Sequence, residues 1–222
     1  VIKNVTGEMV DAEQLGGART HNTVSGVSHF FCENDRDCIE KIKTLLSYLP
    51  ANCREMPPVF ACTDDPKRRC DLLNSFVPDS LKKPYDMKTI IREIADDHIF
   101  FETQELYAPN IITGFIRMNG SSVGIVANQP KAMAGCIDIN ASDKAARFIR
   151  TCDCFNVPLL SIADVPGYMP GTNQEYGGII RHGAKMIYAW AEATVPKIVM
   201  AAGKVVGAAR PAMSSSELHP DF

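Results

Sequence analysis

At 222 residues and 45% hydrophobic composition, the chain can bury a sizeable core, as one large domain or parts of two. A formal charge of −3 gives no electrostatic reason to bind nucleic acid or an anionic membrane. Apolar runs such as 111–116 and 195–202 fall far short of a bilayer span, so the chain reads as soluble. Val1-Ile2-Lys3-Asn4 carries neither an initiator Met nor a signal-peptide pattern, which leaves targeting unassigned.

The first predicted helix runs from about Asp35 to Leu49, with Cys38, Ile39, Ile42, Leu45, Leu46 and Leu49 on one face, Asp35 as N-cap and Pro50 as its stop. From Pro50 to about Ser75 the periodicity dissolves. Pro57-Pro58, Asp64-Asp65-Pro66 and Lys67-Arg68-Arg69 read as a linker whose basic triplet is a solvated patch. A helix over Asp86 to about Ala95 follows. Ile111 to Met118 and Ser121 to Asn128 are then strands of a hairpin, because Asn119-Gly120 tolerates the positive φ of a type I′ turn.

Ser142 or Asp143 can cap a helix whose stripe is Ala145, Ala146, Phe148, Ile149, Cys152 and Phe155, ending before Pro158. Leu159 to Ala163 is a buried strand, about Glu175 to Ala193 a helix, and Val195 to Ala201 the next strand. This strand-helix-strand succession argues an α/β fold. The eight cysteines (32, 38, 53, 62, 70, 136, 152 and 154) include no CxxC pair and no His at zinc spacing, so no metal is expected. Cys152 and Cys154, two apart in a helix, point in different directions and read as reduced thiols, which favours a reducing compartment.

The most informative stretch is Asp164 to Pro196. Pro166-Gly167 and Pro170-Gly171 bracket Tyr168 and Met169 on a rigid turn, and Gly177-Gly178 leave room for a ligand or another backbone. Since the stretch holds no Ser/His/Asp arrangement, it suits a binding site made of backbone. It closely resembles the carboxyltransferase subunits of biotin-dependent acyl-CoA carboxylases. The resemblance extends through Gly7-Glu8, Leu15-Gly16-Gly17, Ser25-Gly26-Val27, Tyr48-Leu49-Pro50, the run from Gly124 to Pro130 and the run from Gly135 to Asn140, and reaches about Lys204.

That resemblance implies the crotonase fold, in which ββα units stack in a spiral, and a full subunit built of two such halves. On it, residues 1–75 are the tail of the first half plus linker, residues 76–222 are the opening portion of the second, biotin-side half, and the chain is an incomplete piece. It further implies carboxyl transfer between carboxybiotin and a short acyl-CoA, the propionyl-CoA/methylmalonyl-CoA pair first. Decarboxylation of methylmalonyl-CoA or glutaconyl-CoA onto biotin is the enzymatic alternative, and an inactive piece keeping only assembly and biotin-docking surface is the non-catalytic one. The implied partners are a biotin carboxyl carrier domain or subunit and further copies in a hexamer, with no nucleic acid and no membrane insertion. The implied location is the bacterial cytoplasm or the mitochondrial matrix.

Members of the family carry a Lys-Ala-Tyr-Gly-Gly-Ala-Tyr segment whose second Gly and Ala amides are assigned to a biotin-side oxyanion hole. Lys204 to Arg210 match it, which makes Ala208 and Ala209 the donors and Gly207 the residue that permits the turn. Here Ala replaces the second Gly, Arg210 replaces Tyr, and Pro211 stands where relatives choose the acyl group. Close packing of a helix on a strand would also account for Gly207-Ala208-Ala209. Tyr168 matches an aromatic position beside biotin or is an ordinary loop-core aromatic, and Gly167, Gly177 and Gly178 join it as candidate biotin contacts. His182 is expected to have a structural role, Asp138 to fix a turn, and Asp164 to end a buried strand.

Overall fold

The computed structural model describes residues 1–78, 80 and 83–222 and centres on a five-stranded mixed sheet. Strands β1 (Phe101–Thr103), β2 (Ile111–Met118), β3 (Ser121–Asn128), β4 (Leu159–Val165) and β5 (Lys197–Val205) lie side by side in chain order. The first three pair antiparallel, whereas β3, β4 and β5 run parallel. Parallel neighbours need crossovers, and helices supply them. Among the described residues the helices of six or more residues are, in chain order, α1 (Asp35–Tyr48), α2 (Met87–Ile94), α3 (Ile139–Cys154), α4 (Thr172–Gly177) and α5 (Ile179–Glu192). One turn of helix, α6 (Ala209–Ala212), follows β5.

Alternation of side chains fills both faces of the sheet. Ile111, Phe115, Val126, Leu159 and Ala163 point into the larger core with Phe148 and Ile149 of α3 and Met186 and Trp190 of α5. Ile112, Ile116, Ile125, Ala127, Leu160 and Ile162 point the other way, onto Met87, Ile90 and Ile91 of α2. The hairpin agrees with its sequence: Asn119 at φ 49 and Gly120 at φ 79 make the I′ turn, and β2 pairs with β3 along its full length.

Several expectations need correction. Asn34, not Asp35, caps α1, accepting the Asp37 N–H. Helix α1 meets the core through Leu45, Tyr48 and Leu49 but leaves Ile39, Ile42 and Leu46 at least half exposed, so the predicted apolar face is only partly buried. Helix α3 starts a turn earlier than Ser142 or Asp143 because Asp138 caps it, accepting the Ala141 N–H at 2.8 Å. The single helix over 175–193 is two, since Gly178 at φ 90 breaks the chain between α4 and α5. Strand β5 spans Lys197–Val205 and not 195–201, and Asp164 lies inside β4. In the basic triplet Arg68 is an anchor: its guanidinium holds Asp64 at 2.9 Å and donates to the Ala95 carbonyl at 3.0 Å. That hydrogen bond keeps the Asp64 carboxyl below its ordinary range.

Candidate functional site at the carboxyl ends of the parallel strands

In an open sheet with parallel strands, ligands bind beyond the carboxyl ends of those strands. Here that edge collects three loops: Asn128 to Cys136 after β3, Asp164 to Tyr168 at the end of β4, and Lys204 to Ala209 at the end of β5. The first contains three successive residues at positive φ, Met133 (48), Ala134 (53) and Gly135 (78). Gly135 is required there, because a Cβ would stand 2.6 Å from the Asp164 carbonyl oxygen.

Side-chain hydrogen bonds tie the loops together. The Asn128 amide donates to the Gly135 carbonyl at 3.2 Å, and its oxygen accepts the Asp164 N–H at 3.1 Å. The Asp164 carboxylate accepts the Tyr85 hydroxyl at 2.8 Å on one oxygen and the Lys204 N–H at 2.9 Å on the other. Burial, reinforced by that carboxylate, pushes the Tyr85 phenol far up, so it stays a donor. Tyr85, Pro130, Ala134, Asp164, Gly203 and Lys204 border a small cavity of about 80 Å³.

The expected site residues divide into groups. Gly207 takes φ 63 and turns the chain from β5 into α6. Ala208 is exposed and, among the described residues, its N–H meets no acceptor, whereas Ala209 is fully enclosed by the larger core. Pro211 is accommodated because α6 is a single turn, in which the missing N–H has no partner to lose. The two amides therefore do not face solvent together.

Tyr168 lies half-buried with its ring over Gly183 of α5, where a Cβ would come within 2.7 Å of the hydroxyl. That hydroxyl is buried without a partner among the described residues. The turn that carries Tyr168 is stitched to the start of α3, with the Ile137 N–H donating to the Gly167 carbonyl at 3.1 Å and the Met169 N–H to the Ile137 carbonyl at 2.8 Å. Gly167 itself is open, with nothing within 4 Å of a Cβ built on it. At Gly177 a Cβ would meet Ile139 at 2.6 Å, so this glycine lets α4 close on α3.

His182 donates or accepts at 2.7 Å with Asp143 across the α3–α5 interface, and Lys185 holds the second Asp143 oxygen at 2.9 Å. This is the structural role expected of it. Both Asp164 oxygens hold donors, whereas one Asp138 oxygen accepts the Asn110 amide at 3.1 Å and the Ala141 N–H at 2.8 Å. Sequence reasoning missed Lys144. It is 2% exposed on α3, and its ammonium donates to the carbonyls of Gln104, Tyr107, Ala108 and Ile111 at 2.8–3.4 Å. Burial pushes it down to about 7. Its position, one place before the apolar Ala145-Ala146, was the available signal: a Lys on the inward stripe must find acceptors.

Among the described residues, no group of three or more His, Cys, Asp or Glu is arranged to hold a metal ion, and no helix is long and apolar enough to cross a membrane.

Residues 1–222 match the carboxyl transferase domain family throughout. The chain is 58% identical over its full length to methylmalonyl-CoA decarboxylase subunit alpha of Veillonella parvula, covering 43% of that protein. It is 52% identical to the mitochondrial propionyl-CoA carboxylase beta chain of Homo sapiens, again over its full length and 41% of the relative. Transcarboxylase 12S, solved as a hexamer assembly with hydrolysed methylmalonyl-coenzyme A bound, superposes with a TM-score of 0.96 at 50% identity over 99% of this chain and 44% of that one. The chain thus spans less than half the length of the curated relatives it matches, and its α/β architecture is crotonase-like. With the family matched from end to end and the fold matched to a solved member, the chain belongs to the carboxyl transferase domain family.

Proposed function

We propose that this chain forms the biotin-side half of a carboxyltransferase subunit, in which a carboxyl group passes between carboxybiotin and a short acyl-CoA, first propionyl-CoA/methylmalonyl-CoA. Residues 1–75 then belong to the tail of the other half and its linker, and 76–222 to the biotin-side half. The observation that carries the reading is the turn after β5. Gly207 at φ 63 presents the N–H of exposed Ala208 at the start of α6, where the family places its oxyanion donors.

Biotin, when bound, supplies the ring nitrogen that carries the carboxyl group. A neutral ring of this kind needs fixed donors more than a charged partner, and the turn fits that demand: an unengaged amide, with open space over Gly167 at the same edge. The Ala208 N–H is oriented by backbone geometry before any ligand arrives, so it faces a developing negative oxygen without rearrangement. Ala209 lies behind it in the core. In this reading Tyr168 fixes the wall of the site through Gly183, while Gly167, Gly177 and Gly178 set the path of the chain around it. The partners are a biotin carboxyl carrier and further copies of the subunit, in a soluble enzyme of the bacterial cytoplasm or mitochondrial matrix.

A second direction, decarboxylation of methylmalonyl-CoA onto biotin, is favoured by identity: 58% and 54% to two decarboxylase alpha subunits, against 52% to the human propionyl-CoA carboxylase beta chain. The half-reaction is the same with its sense reversed. The test uses the assembled enzyme that carries this chain, with carboxyl-labelled methylmalonyl-CoA and a biotinylated carrier. Label should move to the carrier, and avidin should stop it. Label loss that is indifferent to biotin would reject the reading, and co-purification of a biotin carboxylase subunit or of a sodium-pumping membrane subunit decides the direction.

A further inference from the structure

We infer that Asp164 is a positioning residue for the Gly207–Ala208 turn, acting through a bulge that its carboxylate imposes on β5. The inference rests on the proposal that this turn supplies the biotin-side donor. Its basis is the register of the two last strands. Ala163 pairs with Ala201 and Val165 with Val205, so β4 advances by two residues (163 to 165) while β5 advances by four (201 to 205). Two extra residues of β5 must therefore stand opposite Asp164.

They wrap around its side chain. The Lys204 N–H donates to one carboxylate oxygen at 2.9 Å. Gly203 passes so near that a Cβ would lie 2.5 Å from the carboxyl carbon and from the other oxygen. That other oxygen is held by the Tyr85 hydroxyl at 2.8 Å, and the Asp164 N–H is held by Asn128 at 3.1 Å. The carboxylate is thus fixed from the far side, and it is the β5 backbone that adapts. Ladder bonding resumes at once, with the Val206 N–H on the Val165 carbonyl at 3.2 Å, and the next residue is Gly207. Bulges beside sites re-aim the residues that follow them. This one sets where β5 ends and which way Gly207 turns the Ala208 amide.

An ordinary strand-end aspartate would lack all three signatures: the two-residue excess, the glycine pressed on the carboxylate, and the second anchor through Tyr85. Asp164 is also distinct from an acid or base, because neither oxygen is left without a donor.

The test compares Asp164→Ala, Asp164→Asn, Gly203→Ala and the Asp164→Ala/Gly203→Ala pair in the assembled enzyme, reading kcat, KM for acyl-CoA and hydrogen exchange over residues 203–209. Asp164→Asn keeps an oxygen for the Lys204 N–H and can donate to the Tyr85 oxygen, so it should stay within about threefold of wild type. Asp164→Ala should speed exchange at 204–209 about tenfold or more and lower kcat roughly 10- to 100-fold with KM nearly unchanged, the pattern of a displaced donor. Gly203→Ala should cost turnover beside Asp164 yet add little on the Asp164→Ala background, where its clash is gone. Unchanged exchange and turnover in Asp164→Ala would overturn the inference, as would an Asp164→Asn enzyme as impaired as Asp164→Ala with a protected turn. Should Asp164→Ala fail to assemble, Gly203→Ala decides: normal exchange and kcat in it also overturn the inference. If wild-type enzyme transfers no carboxyl group to biotin, the functional reading fails, and exchange at 204–209 still judges the bulge on its own.

Discussion

The two ends of the β3–β4 region behave differently. At the hairpin end, Asn119 and Gly120 set the turn type through their own tolerance of positive φ, and distant groups only brace it: the two Asp96 oxygens accept the Asn119 and Gly120 N–H groups at 2.9 and 2.7 Å, and the Phe60 N–H donates to the Gly120 carbonyl. At the carboxyl end, no residue acts alone. Asn128, Asp164, Tyr85, Gly135 and Gly203 each take their geometry from partners 7 to 79 residues away in sequence. A local turn can be altered with a local cost, whereas a change at the carboxyl end passes to whatever the loops present. Mutations at the first should therefore change stability and spare turnover, and those at the second should reach turnover.

The largest stability effect is expected at Lys144, which braces the loop before β2 at the same carboxyl end. Lys144→Met keeps the stem and removes the donor. Each buried carbonyl left without its partner costs roughly 1–3 kcal/mol, and Tyr107 and Ile111 hold the shortest bonds, so a total of roughly 2–4 kcal/mol is expected in denaturant melts. The pH dependence sharpens this. The folded-state Lys144 sits at about 7, below its ordinary 10.5, so between those values the unfolded chain binds more protons and stability rises with pH. Below about 7 the burial penalty is fully present, and above 10.5 it is gone. Lys144→Met should lack that slope; a variant retaining it would assign the slope elsewhere.

Next comes the turn itself. Ala208 has φ −66, which a proline accepts, and Gly207 before it is the residue that best tolerates a following proline. In the assembled enzyme Ala208→Pro should lower turnover by about 10²–10³ while Ala208→Ser stays near wild type, provided circular dichroism and oligomer size are unchanged. A correctly assembled proline variant with normal turnover would leave Ala208 as a packing residue. The isolated 222-residue chain should show no transfer at all, since the resemblance places the acyl-CoA side in the other half; turnover at the level of a full-length relative would reject that division.

What could be read from sequence follows the same divide. The hairpin, α2 and the stripe of α3 came from periodicity and turn chemistry within ten or so residues, and they stand as read. The turns at Gly167 and Gly207 were legible as glycines placed where the chain leaves a strand, and both take positive φ. The bulge at Asp164 was not, because nothing in Ala-Asp-Val announces that Gly203 and Lys204 will wrap around its carboxylate. The break at Gly178 was hidden for a related reason: a glycine inside an apolar 3.6-residue period is compatible with a continuous helix, and nothing in the local pattern signals that Gly178 will take φ 90. Burial of Ala209 and exposure of Ala208 likewise depend on where α5 and Trp190 lie, and no spacing encodes that.

The smallest effect tests the hairpin end. Gly120 sits at φ 79, where a side chain is strained, and a Cβ there would press on the Phe60 backbone that accepts no compromise, since the Phe60 N–H donates to the Gly120 carbonyl at 3.0 Å. Gly120→Ala should destabilise the chain by roughly 1–2 kcal/mol, the cost of left-handed strain and a local shift. Asn119→Gly changes a residue already tolerant of φ 49 and should alter stability by only a few tenths of a kcal/mol. Both substitutions lie at the opposite end of β3 from Asn128, so in the assembled enzyme kcat and KM should stay within about twofold of wild type for each. A Gly120→Ala enzyme that melts normally but loses turnover would show that the two ends communicate through β3, and the separation drawn between them would fail.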